Sequence, residues 1–440
     1  MGMEPHSSDR FSFLHIDLNS FFASVEQEIH PEYRGRPLAV VPTQADTTCC
    51  IAASYEAKAL GIKTGTQVGE AKKICPEIVL IEGNHAEYAR YSHEIAKAVE
   101  LACPVSHTPS IDEMVCELMG REREPPQARR IALEIKQSIY RNVGATLRCS
   151  IGMAPNRYLA KIASDMQKPD GLIGLLPSQL PRAIAHLELR DLPGVGAKTE
   201  IRLNAKGIAT MEQLLALDRT GMHQLWNSVW GDRLYHWLRG ADSGDDGAPV
   251  PPEVQKSLGH SHVLGPEHRS QEGAWAVAHK LLHKAAMRLR MEHFYTGSLA
   301  VTIRYQLTKE QAARMKAKKH FSGIKHSGWA MEARFRDCQD TLTLLEVLRS
   351  LWSKRPTGAD FERPFFVGVT LRNLIPESEY QAELFADPDN RAGLSATMDK
   401  LNLKYGHTTL HFAGMLPARD SAPTRIAFTQ IPVQYGVDYM

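Results

Sequence analysis

The chain has 440 residues, 43% hydrophobic and 23% charged, with 52 basic against 50 acidic side chains and a net charge of +2. That length exceeds what one hydrophobic core usually serves, so several domains are expected, and the balanced composition excludes wholesale disorder. No apolar run reaches membrane-spanning length and the first ten residues, MGMEPHSSDR, are polar; the expectation is a cytoplasmic protein with no membrane partner.

Phe11 to Asp17 (FSFLHID) predicts a central strand ending in a carboxylate, and LNSFFASVEQEI follows with helical spacing, Asn19 or Ser20 standing at its N-cap. Leu38 to Val41 predicts a second strand, Tyr55 to Leu60 and Val68 to Ile74 short helices, and Ala86 to Leu101 a longer one. Ser110 to Leu118 (SIDEMVCEL) is expected as one strand, Gln127 to Arg141 as a helix, and Cys149 to Met153 as a strand. Pro155 suits the first position of a helix that runs to Met166 and stops at KPDG. This alternation implies an α/β sheet domain. Leu175 to Gly240 reads as all-helical, and Ser243 to Glu253 (SGDDGAPVPPE) as a linker. Beyond it the order is strand (Ser257 to Leu264), helix (Gly273 to Arg290), strand (Tyr295 to Arg304), strand (Trp329 to Arg336), helix (Thr341 to Ser353) and strand (Phe365 to Arg372). Such a βαββαβ order makes a four-stranded sheet with two helices on one face. The tail from Glu377 is polar and expected to be weakly structured, apart from a helix at Ser395 to Tyr405.

Charge is unevenly spread. Residues 255–376 hold 20 Lys or Arg against 10 Asp or Glu, a surplus of +10 that leaves the rest of the chain at −8. A phosphate-tracking domain beside an acidic catalytic one would carry this asymmetry. Lys309 to Lys325 adds six basic residues against one acidic between two strands, and reads as a basic loop or a solubilising insertion. The seven cysteines form no C-x-x-C pair, which speaks against a disulfide scaffold or structural zinc.

Nucleotidyl transfer calls for positive charge on both the attacking and the leaving oxygen, and two divalent ions on shared carboxylates supply it. Asp17 at one strand end, with Asp112 and Glu113 adjacent in another, are the carboxylates placed to hold them. Singly they are ordinary, since an Asp beside a helix start is commonly a cap and an adjacent acidic pair commonly solvated. Their settings are not. HIDLNSFFASVE (15–26) closely resembles the first catalytic motif of Y-family, translesion-type DNA polymerases, SIDE (110–113) their second, SYEAKALGIKTG (54–65) their fingers motif and AKIASDMQKPDG (160–171) their end-of-palm motif. The four strings stand in the family's order.

The resemblance implies a right-hand polymerase, α/β and α+β: palm from 1–20 and 84–173, small fingers from 21–83, helical thumb at 174–242, linker at 243–254, a βαββαβ little finger at 255–376 and a tail from 377. It implies low-fidelity, template-directed synthesis from deoxynucleoside triphosphates on primer-template DNA, by a monomer associated with a bacterial nucleoid. Two Mg²⁺ ions, replaceable by Mn²⁺, would sit on Asp17, Asp112, Glu113 and the Leu18 carbonyl. Phe21, Phe22, Tyr55, Lys58 and Lys168 would hold the nucleotide, Phe21 also packing in the core and Phe22 acting as the steric gate against a 2′-hydroxyl. Lys58 stands where the family commonly has Arg, and Ile51 is a bulky residue at the expected roof. Lys161 is open to two readings, a helix partner of Asp165 or a DNA contact. Pro193-Gly194-Val195-Gly196 has the form of a helix–hairpin–helix turn, making Gly194, Gly196 and Lys198 candidate DNA contacts. Gln381-Ala382-Glu383-Leu384-Phe385 resembles the peptide by which bacterial polymerases dock on a sliding clamp through Gln381, Leu384 and Phe385. Two rival readings are a catalytically inactive relative acting as a DNA and clamp adaptor, and a palm-fold nucleotide cyclase.

Overall fold

The computed structural model describes residues 9–46, 48–241, 256–307, 326–358, 361–381, 391–406, 409–419 and 421. The described chain forms two compact units, one up to residue 241 and one from residue 256.

The first unit begins β1 (Phe13–Leu18), α1 (Phe21–Ile29), β2 (Leu38–Val41), β3 (Ala52–Ala53), α2 (Tyr55–Ala59), α3 (Val68–Ile74), β4 (Val79–Glu82) and α4 (His85–Glu100). It continues β5 (Val105–Ser110), β6 (Glu113–Glu117), α5 (Pro125–Asn142), β7 (Cys149–Ala154), α6 (Arg157–Met166) and β8 (Leu172–Gly174). β1 is central in a five-stranded sheet of order β5-β6-β1-β7-β8 and runs antiparallel to both neighbours. All six of its residues are buried, as a strand covered on both faces requires. Phe22, Val25, Tyr88, Ile95, Ile131 and Ile135 from α1, α4 and α5 pack in one core with Leu14 and Ile16. A separate three-stranded sheet, β3-β2-β4, carries α2 and α3 on its own small core around Ala57, Ile62 and Val68.

Three local expectations change. Ser110 to Leu118 is a hairpin: β5 ends at Ser110, Ile111 and Asp112 form the turn, and Ser110 pairs with Glu113. Ile111 is wholly buried, so its apolar side chain continued the alternation and hid the turn. Neither Asn19 nor Ser20 caps α1 through its side chain; Asn19 instead donates 3.1 Å to Ser150 Oγ and accepts from the Asp170 amide at 2.7 Å. α6 begins two residues later than Pro155 suggested, because Asn156 is its N-cap, with Oδ1 accepting from the Leu159 amide at 2.9 Å.

From 175 to 241 only short helices occur: α7 (Ala197–Asn204), α8 (Met211–Leu215), α9 (Arg219–Trp226) and α10 (Val229–Trp237). They enclose a core that also takes Leu159 and Ile162 of α6. The Tyr158 hydroxyl donates 3.0 Å to the Pro193 carbonyl and its ring stacks on Trp237 at 5.3 Å, fastening the Pro193–Gly196 turn to α6.

The second unit follows the expected order, β9 (Ser257–Val263), α11 (Gln271–Met291), β10 (Phe294–Gln306), β11 (His326–Cys338), α12 (Thr341–Ser353) and β12 (Pro364–Pro376), giving an antiparallel sheet β11-β10-β12-β9. Linker residues 243–254 and the basic Lys309 to Lys325 loop lie outside the described residues. The tail helix expected at Ser395 to Tyr405 is present as α13 (Arg391–Tyr405), and the weak structure expected around it is corrected: α13 and residues 409–419 pack on α11 and α12. Its buried face is polar, Ser395, Asp399 and Asn402, which hydropathy cannot register. Each has a partner: Ser395 Oγ accepts from the Thr341 amide, Asp399 accepts from Nε and Nη2 of Arg290 at 2.6 and 2.9 Å, and Asn402 exchanges two bonds with the Leu410 backbone.

Candidate active site

β1 and β6 place the acidic groups. Asp17 and Glu113 are directly opposed across the antiparallel pair, so both carboxylates emerge on one face. Asp112 lies in the turn before β6, and its carbonyl accepts from the Leu18 amide at 2.9 Å, tying the turn to the end of β1. Ser110 Oγ lies 2.6 Å from Asp112 Oδ1 and 3.1 Å from Glu113 Oε2, between the two carboxylates.

Two lysines close on this group. Lys161 of α6 puts Nζ 2.6 Å from Asp17 Oδ2 and 2.6 Å from Glu113 Oε1, and 3.2 Å from Asp165. Lys168 Nζ lies 2.6 Å from Asp17 Oδ1 and 2.8 Å from Asp165. Burial disfavours both ammonium groups, but Asp17 and Asp165 outweigh it and hold their pKa values above the ordinary lysine value. Burial likewise works to raise Glu113, yet His15 and Lys161 prevail and hold that carboxyl far below the usual range. Asp112 behaves oppositely: burial pushes it up, Asp17 and Glu113 add to this, and the Ser110 hydroxyl only partly offsets it.

His15 joins the cluster. It lies two residues before Asp17 on β1, hence on the same face, with Nε2 3.6 Å from Glu113 Oε1. One ligand atom each from His15, Asp17 and Glu113 lies within 4.8 Å of the others; Asp112 is outside that trio and joins it through Ser110. Three carboxylates are hard oxygen donors of the kind Mg²⁺ takes, and half-buried Asp112 is short of positive charge, so the donor set fits divalent cations.

In front of the carboxylates is a cavity of about 340 Å³ lined by Asp17, Leu18, Phe21, Phe22, Ile51, Lys58, Asp112, Glu113, Lys161 and Lys168 together with small residues of β3. Phe22 is 4% exposed. Lys58 Nζ donates 2.7 Å to Ser20 Oγ and stands 4.5 Å over the Tyr55 ring. Its amine is pushed down by burial and by Lys168, against Asp17, while burial raises the Tyr55 phenol. A second cleft of about 420 Å³ runs from Lys161 and Asp165 along Arg190 to Gly196. Gly194 (φ +87°) takes a conformation that favours glycine, whereas a Cβ on Gly196 would meet open space. Gly194, Gly196 and Lys198 are all exposed. Gln381 is exposed, and Leu384 and Phe385 lie outside the described residues.

Two members of the cluster, His15 and Ser110, were not singled out by sequence reasoning, although each stands inside a motif string. Of the two readings of Lys161, the helix pairing with Asp165 is present at 3.2 Å, and neither reading foresaw that the same ammonium bridges Asp17 to Glu113.

Residues 16–165 match the family model described as the impB/mucB/samB family, residues 255–384 that family's C-terminal domain, and residues 190–242 the thumb domain of DNA polymerase-iota. The chain is 31% identical to DNA polymerase IV of Moorella thermoacetica over 407 residues, covering 91% of this chain and 95% of that one. It is 28% identical to DNA polymerase IV 1 of Bacillus subtilis over 428 residues, covering 94% and 96%. Among solved structures, a Y-family DNA polymerase chimera of Dbh and Dpo4 superposes with a TM-score of 0.65 at 22% identity, covering 83% of this chain and 99% of that one. The insertion ternary complex of Dbh DNA polymerase gives 0.53 at 21%, with the same coverage. No helix among the described residues is long and apolar enough to cross a membrane. Three family segments in chain order, and relatives aligned along nearly the whole length, establish that the chain belongs to the impB/mucB/samB family, the Y-family DNA polymerases.

Proposed function

We infer that this protein is a low-fidelity, template-directed DNA polymerase that extends a primer 3′-hydroxyl with deoxynucleotides and bypasses damaged template. The observation that carries the reading is the opposition of Asp17 and Glu113 across β1 and β6, with Asp112 beside them, at the mouth of a cavity walled by Phe22, Lys58 and Lys168. Asp17, Asp112, Glu113 and the Leu18 carbonyl would hold two Mg²⁺ ions, which supply charge neutralisation at the reacting phosphate when bound.

The chain's own groups do the rest. Lys58, Tyr55 and Lys168 orient the triphosphate, and an ammonium at 58 gives a point charge in place of a bidentate fork. Phe22 stands against the sugar and excludes a 2′-hydroxyl. The backbone of the Pro193–Gly196 turn, with Lys198, takes phosphates of primer-template DNA, and the basic surplus of residues 255–376 tracks the duplex. In this reading the first unit divides into palm, fingers and thumb at the boundaries given above, the protein works as a monomer in the bacterial cytoplasm, and residues 381–385 dock on a sliding clamp.

Primer extension with Mg²⁺ and single deoxynucleotides tests the assignment. The wild type extends, and Asp112→Ala falls by about 10³-fold, the equivalent of roughly 4 kcal/mol of lost charge stabilisation. Extension that survives Asp112→Ala sinks the site, and a wild type inactive on every template would favour the adaptor reading. Deleting 381–385 should end capture of the protein on immobilised clamp while sparing basal extension; retained capture refutes the docking peptide.

A further inference from the structure

Phe22 and Glu26 lie one turn apart on α1 and grip the same side chain of α4. The Phe22 ring stacks on Tyr88 with 4.2 Å between centroids and 15° between planes, while the Tyr88 hydroxyl donates 2.6 Å to Glu26 Oε1. Both partners are deeply buried, Tyr88 at 0% and Glu26 at 3% exposure. His85, one turn earlier on α4, meets Phe22 edge-on at 6.1 Å and Tyr88 at 5.8 Å.

Stability alone gives no reason for this arrangement. A carboxylate and a phenol in a core are at best neutral against apolar residues of the same volume, whereas a satisfied buried polar pair fixes one arrangement among several. The grip has two points. The stack opposes sliding of the Phe22 ring, and the hydrogen bond opposes turning of Tyr88, so neither ring moves without breaking a contact between α1 and α4. Aryl torsions about χ2 are otherwise broad wells. The other side of Phe22 faces the cavity that holds Asp17, Lys58 and Lys168, and the sugars it must tell apart differ by one oxygen, so a small displacement of the ring decides the outcome.

We propose that Tyr88, anchored by Glu26, is the positioning residue that sets the stance of Phe22 against the sugar and thereby the preference for deoxyribonucleotides. The proposal rests on the reading of Phe22 as the gate. Single-nucleotide insertion with a deoxynucleotide and its ribonucleotide counterpart, reading kcat and KM for each, tests both. Phe22→Ala should abolish the preference; if the preference persists, the gate reading fails and this proposal with it. Tyr88→Leu should cut the ratio of kcat/KM values by about tenfold or more, within the range that pocket contacts of this kind command, the change arriving in the ribonucleotide KM. Tyr88→Phe, which keeps the ring and loses the anchor, should cut it by roughly threefold, and Glu26→Gln, which keeps an acceptor, should hold it within about twofold. In the Phe22→Ala background, Tyr88→Leu should add nothing to the loss, as expected of residues acting through one another. A preference lost in Phe22→Ala but intact in both Tyr88→Leu and Tyr88→Phe overturns the proposal and leaves Tyr88 as core packing. Should Tyr88→Leu fail to fold, Tyr88→Phe alone decides.

Discussion

At the scale of single residues, Lys161 shows how one cation can manage three anions. Its ammonium lies within 3.2 Å of Asp17, Glu113 and Asp165, on an α6 whose opposite face is packed in the core. Removing it leaves Asp17 and Glu113 opposed across adjacent strands with less compensation. Lys161→Ala should cost about 2 kcal/mol of stability without divalent ions, the usual loss for charged hydrogen bonds of this burial. Mg²⁺ should restore more stability to the variant than to the wild type, because the ion no longer competes with an ammonium. Denaturant melts with and without Mg²⁺ measure this, and equal stabilisation of both proteins would show that Lys161 does not share the carboxylates with the ion.

At the scale of elements, α13 is held by polar contacts and not by an apolar stripe. Arg290 on α11 is the hub, giving Asp399 two hydrogen bonds while also donating to the Gln339 carbonyl and Thr341 Oγ1. Both charged side chains are nearly enclosed, 9% and 10% exposed, so truncating one strands the other. Asp399→Ala should lower the stability of the second unit by about 3 kcal/mol, the typical cost of orphaning a buried partner, and should expose 391–421 to protease. A denaturation midpoint within experimental scatter of the wild type would show that α13 is dispensable to the unit. The hairpin at Ile111 and Asp112 makes a related point: a buried apolar residue can sit inside a turn, and alternation then runs through the break without marking it.

At the scale of the whole molecule, acid acts on the second unit through three histidines, His279 and His283 buried and His260 half-buried. Burial holds His260, His279 and His283 at about 4, with Lys284 and Arg288 near the first, Arg349 near the second, and Arg290, against Asp399, near the third. From the ordinary value of 6.5 down to about 4 the unfolded chain takes up protons that the folded one refuses, so stability is full above that window and falls within it. Denaturant titrations from pH 7 to pH 4.5 should show a loss of a few kcal/mol from this unit; a flat profile would mean the histidines protonate in place.

What was legible in the chain divides along a physical line. Strings such as HIDLNSFFASVE, together with period-two and helical apolar patterns, are local and survive in one dimension; from them came the order of elements, the βαββαβ unit, the family and the three carboxylates. The pairing of Asp17 with Glu113, the bridge through Lys161, the entry of His15 and the docking of Tyr88 between Phe22 and Glu26 depend on residues up to about 150 positions apart. Only antiparallel register and helix packing bring such groups within a few ångströms, and no spacing along the chain encodes that distance. The tail adds the complementary case: Ser395, Asp399 and Asn402 look like a solvated face until Arg290 arrives from another helix, because a polar group is buried only where tertiary structure supplies its partner.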